Sequence, residues 1–256
     1  AELTNIKWIA RSGSGLENID VEEAEARGIS IINSPEGNRD AVGEHTLGML
    51  LMMLHKLKSG DLSVHKREWL REEHRGDELG AQTVGIIGYG VMGSAFAEKL
   101  KGLGCRVIAY DKYKNGFGSE FVEEVNEEQF FLDSDIVSVH LPWTSETKGL
   151  INSNWLNRFS KPITFINTSR GAIVNTSDLL DAVDSGKVRS AALDVLEFEG
   201  RSLEGLDLDD VSKETLDRLL KNDQILITPH VAGWSVESYY KLSSVLADKI
   251  ILLNQS

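Results

Sequence analysis

Apolar residues in this chain fall into two kinds of segment that alternate along its length. Short, nearly continuous runs at Ile6–Ala10, Ile29–Asn33, Thr83–Ile87, Arg106–Asp111, Ile136–Leu141, Ile163–Asn167, Ala191–Val195 and Ile225–Thr228 read as buried strands. Between them lie segments whose apolar residues recur at helical spacing: Val21–Arg27 before Gly28, Ser94–Leu103, Ser119–Phe131, Asn152–Phe159, Thr176–Ser185 and Val236–Leu253. From Ala41 to Leu57 the spacing of Leu47, Leu50, Leu51, Leu54 and Leu57 predicts a long, largely buried helix. The charged stretch from Ser59 to Gly80, which carries Trp69, reads as a second helix or arm and then a connector. The acidic segment Glu199–Asn222, with Leu203, Leu206 and Leu208, reads as a long functional loop. Strands without polar alternation, separated by helices, imply an α/β fold: a doubly wound parallel sheet covered on both faces.

One junction in this pattern carries chemistry. The run ending at Ile87 meets Gly88-Tyr-Gly90-Val91-Met92-Gly93, a helical segment follows, and the next strand stops on Asp111, eighteen residues after Gly93. That order suits a dinucleotide: a tight turn, a helix N-terminus under the pyrophosphate, and a carboxylate for the ribose hydroxyls. Asp111 would repel a 2′-phosphate and so favours NAD over NADP; Lys112 and Lys114 are either a solvated loop or a basic pair able to hold a phosphate.

Bulk properties narrow the partners. Twenty-seven Lys and Arg against 40 Asp and Glu give a formal net charge of −13, which opposes nucleic acid and anionic lipid. The single cysteine, Cys105, excludes an internal disulfide and suits a reducing, cytoplasmic setting. No basic and apolar leader opens the chain. Its longest apolar run, Met49–Leu54, is far short of the roughly 20 residues that cross a bilayer. Neither HExxH, CxxC nor GxSxG occurs, so a metal centre or a serine nucleophile is not expected.

Three side chains fall where predicted strands end, the edge at which open α/β sheets bind ligands. Arg170 follows Ile163–Asn167, His230 follows Ile225–Thr228, and Glu199 lies just past Asp194 and Val195. Hydride removal from a 2-hydroxy acid needs a base for the hydroxyl proton; histidine, with a reference pKa of about 6.5, serves in both directions. A carboxylate beside it fixes the tautomer, and a guanidinium can clamp the substrate carboxylate. Taken singly, each has a plainer reading: a turn with a solvated imidazole, a turn with a surface ion pair, a solvated acid.

Seven ordered motifs resolve the matter toward a family. Arg-Ser-Gly-Ser-Gly-Leu-Glu-Asn-Ile-Asp (11–20), Asn-Ser-Pro-Glu-Gly-Asn (33–38), the glycine turn (88–93), His-Leu-Pro (140–142), Ile-Asn-Thr-Ser-Arg-Gly (166–171), Ala-Leu-Asp-Val (192–195) and Thr-Pro-His-Val-Ala-Gly (228–233) together resemble the D-isomer-specific 2-hydroxyacid dehydrogenases, above all their 3-phosphoglycerate branch. The resemblance implies a catalytic set of Arg170, Glu199 and His230. It implies NAD contacts from Val91, Met92, Asp111, Leu141, Thr168, Asp194 and Gly233, beside the turn glycines Gly88, Gly90 and Gly93. It places the substrate carboxylate between Arg170 and the N–H groups of Ser14 and Gly15. It also implies a Rossmann NAD domain over 41–232, an incomplete flavodoxin-like substrate domain from 1–40 and 233–256, and a homodimer formed through the helix from Ala41 and the Trp69 region. The expected substrate is a small anionic 2-hydroxy or 2-oxo acid, 3-phosphoglycerate first, with glyoxylate, hydroxypyruvate and D-lactate as alternatives. The rival class is an NAD(H)-sensing, corepressor-like interaction protein without turnover. Gly200 stands where the family usually has proline after the glutamate, and the Glu199–His230 connection is longer than usual.

Overall fold

The computed structural model describes residues 6–200 and 205–255; Leu203 of the acidic segment and the first five positions of the 1–40 segment lie outside them. Near the N-terminus β1 (Trp8–Arg11) and β2 (Ser30–Asn33) pair in parallel, Arg11 opposite Asn33, across the short helix α1 (Val21–Ala26). Asp20 caps α1 by accepting the Glu23 N–H at 3.0 Å.

The main sheet runs through β3 (Thr83–Ile87), β4 (Arg106–Tyr110), β5 (Val122–Glu124), β6 (Ile136–Val139), β7 (Ile163–Asn167), β8 (Val188–Leu193) and β9 (Ile225–Ile227). Within the described residues it is seven-stranded, ordered β5-β4-β3-β6-β7-β8-β9, and every neighbouring pair is parallel. The direction of winding reverses between β3 and β6, which opens a crevice at their carboxyl ends.

Both faces of the sheet are buried, which is why its strands lack polar alternation. On one face α2 (Arg39–Leu54) and α4 (Val91–Leu100) bury Met49, Leu50, Phe96 and Leu100 against Val84, Ile86, Ile136 and Ile166. On the other, α5 (Glu127–Asp133), α6 (Ser153–Asn157), α7 (Thr176–Asp184) and α8 (Asp210–Leu220) pack Phe130, Trp155, Leu179 and Leu219 against Val137, Val139 and Phe165. The last helix, α9 (Val236–Gln255), returns to the N-terminal pair, with Lys249 donating to the Asn33 carbonyl and pairing with Glu36. Among the described residues no helix is long and apolar enough to cross a membrane.

Three segments depart from the sequence pattern, the first two through side chains that compete for the backbone. The Ser119–Phe131 helix is instead β5 followed by the shorter α5. There Glu124 accepts the N–H groups of Gly116, Phe117 and Gly118, the Ser119 hydroxyl accepts those of Phe121 and Val122, and Asn126 caps α5 at Gln129 N–H. The acidic Glu199–Asn222 segment is not wholly a loop: Asp209 accepts the Ser212 N–H at 2.8 Å and starts α8, whose Leu219 is buried. The long helix breaks after Leu54, where Lys56 adopts φ +50°, and α3 (Leu57–His65) begins anew.

Strand register fixes what shares an edge. Tyr110, Ile87, Val139, Asn167, Leu193 and Ile227 lie across from one another in successive strands. The residues that follow them, Asp111, Gly88, His140, Thr168, Asp194 and Thr228, therefore line one carboxyl-terminal edge.

Candidate active site

The glycine turn occupies the crevice. Gly88 takes φ +87°, and a Cβ there would lie 2.5 Å from the His140 carbonyl oxygen; a Cβ on Gly93 would overlap the Gly88 carbonyl oxygen. A Cβ on Gly90 would meet nothing within 4 Å, so the outer side of the turn is open to a bulky ligand. Helix α4 begins at Val91, three residues earlier than its apolar spacing suggests, so the N–H groups of Val91 and Met92 belong to its first turn and lack intrahelical acceptors. Asp111 is anchored beside them: one carboxylate oxygen accepts the Tyr89 N–H at 2.8 Å, the other those of Tyr113 and Lys114 at 2.9 and 3.0 Å. Leu141 flanks Gly88. Lys112 pairs with Glu146, and Lys114 donates to the Tyr89 carbonyl at 3.1 Å. A turn that needs glycine at 88 and 93 and stays open at Gly90, with an acid at the next strand's end, fits a dinucleotide.

His140, next along the edge, is no proton carrier. Burial pushes its imidazole pKa down to about 3, its Nε2 lies 2.8 Å from the Ser138 hydroxyl, and its Nδ1 is buried without a hydrogen-bond partner. The Thr168 hydroxyl meets that of Thr46 on α2 at 3.0 Å, and because Thr46 donates to the Val42 carbonyl, Thr168 is the donor between them.

The histidine end is built from the ends of β8 and β9. His230 adopts φ +54°, a left-handed conformation that costs a non-glycine residue about 1–2 kcal/mol. Asp194, 1% exposed at its side chain, holds it there. The Asp194 carbonyl accepts the His230 N–H at 2.7 Å, and its carboxylate accepts Val231 N–H, Ala232 N–H and the Thr228 hydroxyl at 2.9, 2.8 and 2.6 Å. His45 of α2 closes the cluster, with Nε2 3.1 Å from the Thr228 hydroxyl. The His230 Nδ1–H donates to Glu199 at 2.6 Å, and the other Glu199 oxygen accepts the Leu196 N–H at 2.6 Å. Because a carboxylate only accepts, Nδ1 carries the proton and Nε2 of the neutral ring is left with a lone pair, the state a general base requires. The Asp194 carboxylate, at the position expected to contact NAD, thus also braces the loop that carries His230. Gly233 ends that loop against the Asn38 amide, where a side chain would overlap.

The arginine end joins the main sheet to the N-terminal pair. The Arg170 Nη1 donates to the Ser169 carbonyl at 2.7 Å, and its guanidinium lies against Gly15, where a Cβ would overlap it. Asn33 holds the loop by donating to the Ser14 carbonyl at 2.8 Å. The structure therefore brings Ser14, Gly15 and Arg170 together, and adds Glu17, whose carboxylate accepts from Arg170 Nε. Burial disfavours the Glu17 charge, but the Arg170 charge and hydrogen bond, with help from Arg11, outweigh it and hold the carboxyl below its ordinary range. Glu17, His45 and Thr46 escaped the reading of the sequence. The two α2 residues had a signal, polar side chains inside a buried helical stripe; Glu17 had none, since its partner lies 153 residues away.

Among the described residues no cluster of three or more His, Cys, Asp or Glu could hold a metal ion. Cys105 is half-buried, and burial raises its thiol pKa, which disfavours the reactive thiolate.

Comparison with known proteins points to one family. The family described as "D-isomer specific 2-hydroxyacid dehydrogenase, NAD binding domain" matches residues 47–232. A D-3-phosphoglycerate dehydrogenase of Bacillus subtilis is 33% identical over 98% of this chain and 46% of its own length. A D-lactate dehydrogenase of Streptococcus agalactiae is 36% identical over 93% of this chain and 73% of its own. The chain thus spans about half the length of the phosphoglycerate relative. Among solved structures, the Aquifex aeolicus D-lactate dehydrogenase complexed with NAD and lactic acid superposes with a TM-score of 0.81 at 29% identity, covering 97% of this chain and 77% of that one. The chain belongs to the D-isomer-specific 2-hydroxyacid dehydrogenase family, whose NAD-binding domain is matched by residues 47–232.

Proposed function

We propose that the protein interconverts a D-2-hydroxy acid and its 2-oxo acid with NAD. The reading rests above all on the 2.6 Å bond from His230 Nδ1–H to Glu199, which leaves Nε2 free to take a proton. Gly88, Gly90, Val91, Met92, Gly93 and Asp111 would hold the NAD, with Leu141, Thr168 and Gly233 along the same edge. When bound, NAD supplies the hydride acceptor. Arg170, with the N–H groups of Ser14 and Gly15, fixes the substrate carboxylate; His230 removes the hydroxyl proton during oxidation and returns it during reduction; Glu199 stabilises the imidazolium between those events.

Among substrates, 3-phosphoglycerate comes first, because relatives matched over nearly the whole chain are D-3-phosphoglycerate dehydrogenases. Hydroxypyruvate, glyoxylate and D-lactate are the alternatives. We also propose a homodimer through α2, α3 and the following segment, where Met52, Leu57, Leu62, Val64, Trp69 and Leu70 expose apolar surface. One observation favours the second reading, an NAD(H)-responsive, corepressor-like protein: Glu17 already occupies Arg170. Following NADH absorbance with a panel of 2-oxo acids, on the protein at its full natural length, separates the two. Turnover of one of them supports the enzyme; NADH binding without any turnover supports the sensor.

A further inference from the structure

Glu17 lies where the proposed reaction needs its substrate. Gly15 has no side chain, and a Cβ there would overlap both the Arg170 guanidinium and the Glu17 carboxylate. The bare glycine backbone and the guanidinium thus frame one carboxylate-sized position, and a carboxylate from the same chain fills it. Nor is this an ordinary surface pair. It joins the loop after β1 to the loop after β7, and each side chain is only 26% exposed. Arg11, whose guanidinium lies against Gly13 in the same loop, is a second cation near Glu17. Two arginines and one glutamate leave a net single positive charge, which a substrate monocarboxylate would neutralise.

We propose that Glu17 is a tethered competitor for the carboxylate position on Arg170, so that substrate binds by displacing it toward Arg11. Glu17 then sets the affinity for the substrate carboxylate. This inference rests on the proposed role of Arg170 as the substrate clamp.

The test is Glu17→Gln in the protein at its full natural length, with oxamate as a carboxylate probe that is not turned over. A partly exposed ion pair corresponds to about a two- to five-fold change in an equilibrium. The KM for a 2-oxo acid and the inhibition constant of oxamate should both fall by that factor, with the gain in KM rather than kcat. In an Arg170→Ala background the same substitution should change neither oxamate affinity nor KM. An unchanged or raised KM and oxamate constant in Glu17→Gln overturns the inference. If Arg170→Ala alone binds oxamate and turns over as well as the parent, the clamp itself is wrong. If Arg170→Ala fails while Glu17→Gln changes nothing, only the competitor is refuted.

Discussion

The two ends of the candidate site are built by opposite means. At the histidine end every partner comes from neighbouring strand ends and α2: Asp194 holds the loop, Glu199 holds the ring, and the proton is placed before any substrate arrives. At the arginine end the partners come from distant segments, and the cation already has an anion of its own in Glu17. One end is preorganised and ready; the other must exchange a partner. Chemistry is therefore set by the sheet edge, and affinity by the contact between the sheet and the N-terminal pair.

The largest effects should fall on the two reactive side chains. His230→Gln should lower kcat by about two to four orders of magnitude while NAD affinity stays nearly intact, since general acid–base catalysis is worth roughly that much. Steady-state rates with NAD titration check this, and a collapse of NAD binding would make His230 structural. Arg170→Ala should lower kcat/KM by about two to four orders through the loss of two charge-assisted bonds of roughly 1.5–3 kcal/mol each. Near-normal turnover would remove it from the site.

Next comes Asp194→Asn, which turns one acceptor of the His230 loop into a donor facing an N–H. Stability should fall by about 1–3 kcal/mol, with a loss of kcat, as measured by denaturant unfolding and rates. Unchanged stability would show that the loop holds itself.

His140 gives a pH dependence of stability. Its folded pKa, about 3, lies below the unfolded value, so the unfolded state binds more protons between the two. Stability is full above about pH 6.5 and declines as pH falls toward 3, by roughly 2 kcal/mol between pH 7 and 5. His140→Leu should flatten that slope in denaturation at the two pH values; an unaltered slope would assign it elsewhere. The smallest effect should be that of Asp111→Ala, a narrowed preference for NAD over NADP, and an unchanged ratio would reject the ribose contact.

Much of this was legible in the sequence because it is local. The strand ends, the glycine turn, Asp111, and the positions of Arg170 and His230 on one edge all follow from short apolar runs and the turns that stop them. Where the reading failed, side chains had captured the backbone: Glu124 and Ser119 made β5 from a helical pattern, and Asp209 started α8 inside an acidic stretch. The place of Asp194 at a strand end is visible in the sequence, whereas its bonds to the His230 loop exist only after β8 and β9 pair. The Glu17–Arg170 contact is more remote still.

The most direct test follows deuterium from NADH labelled at C4 into the product of a 2-oxo acid. Label at C2 of a product of D configuration, lost in His230→Gln, is the result predicted by a base and a clamp acting on one substrate. An unlabelled product, or one of L configuration, would contradict it.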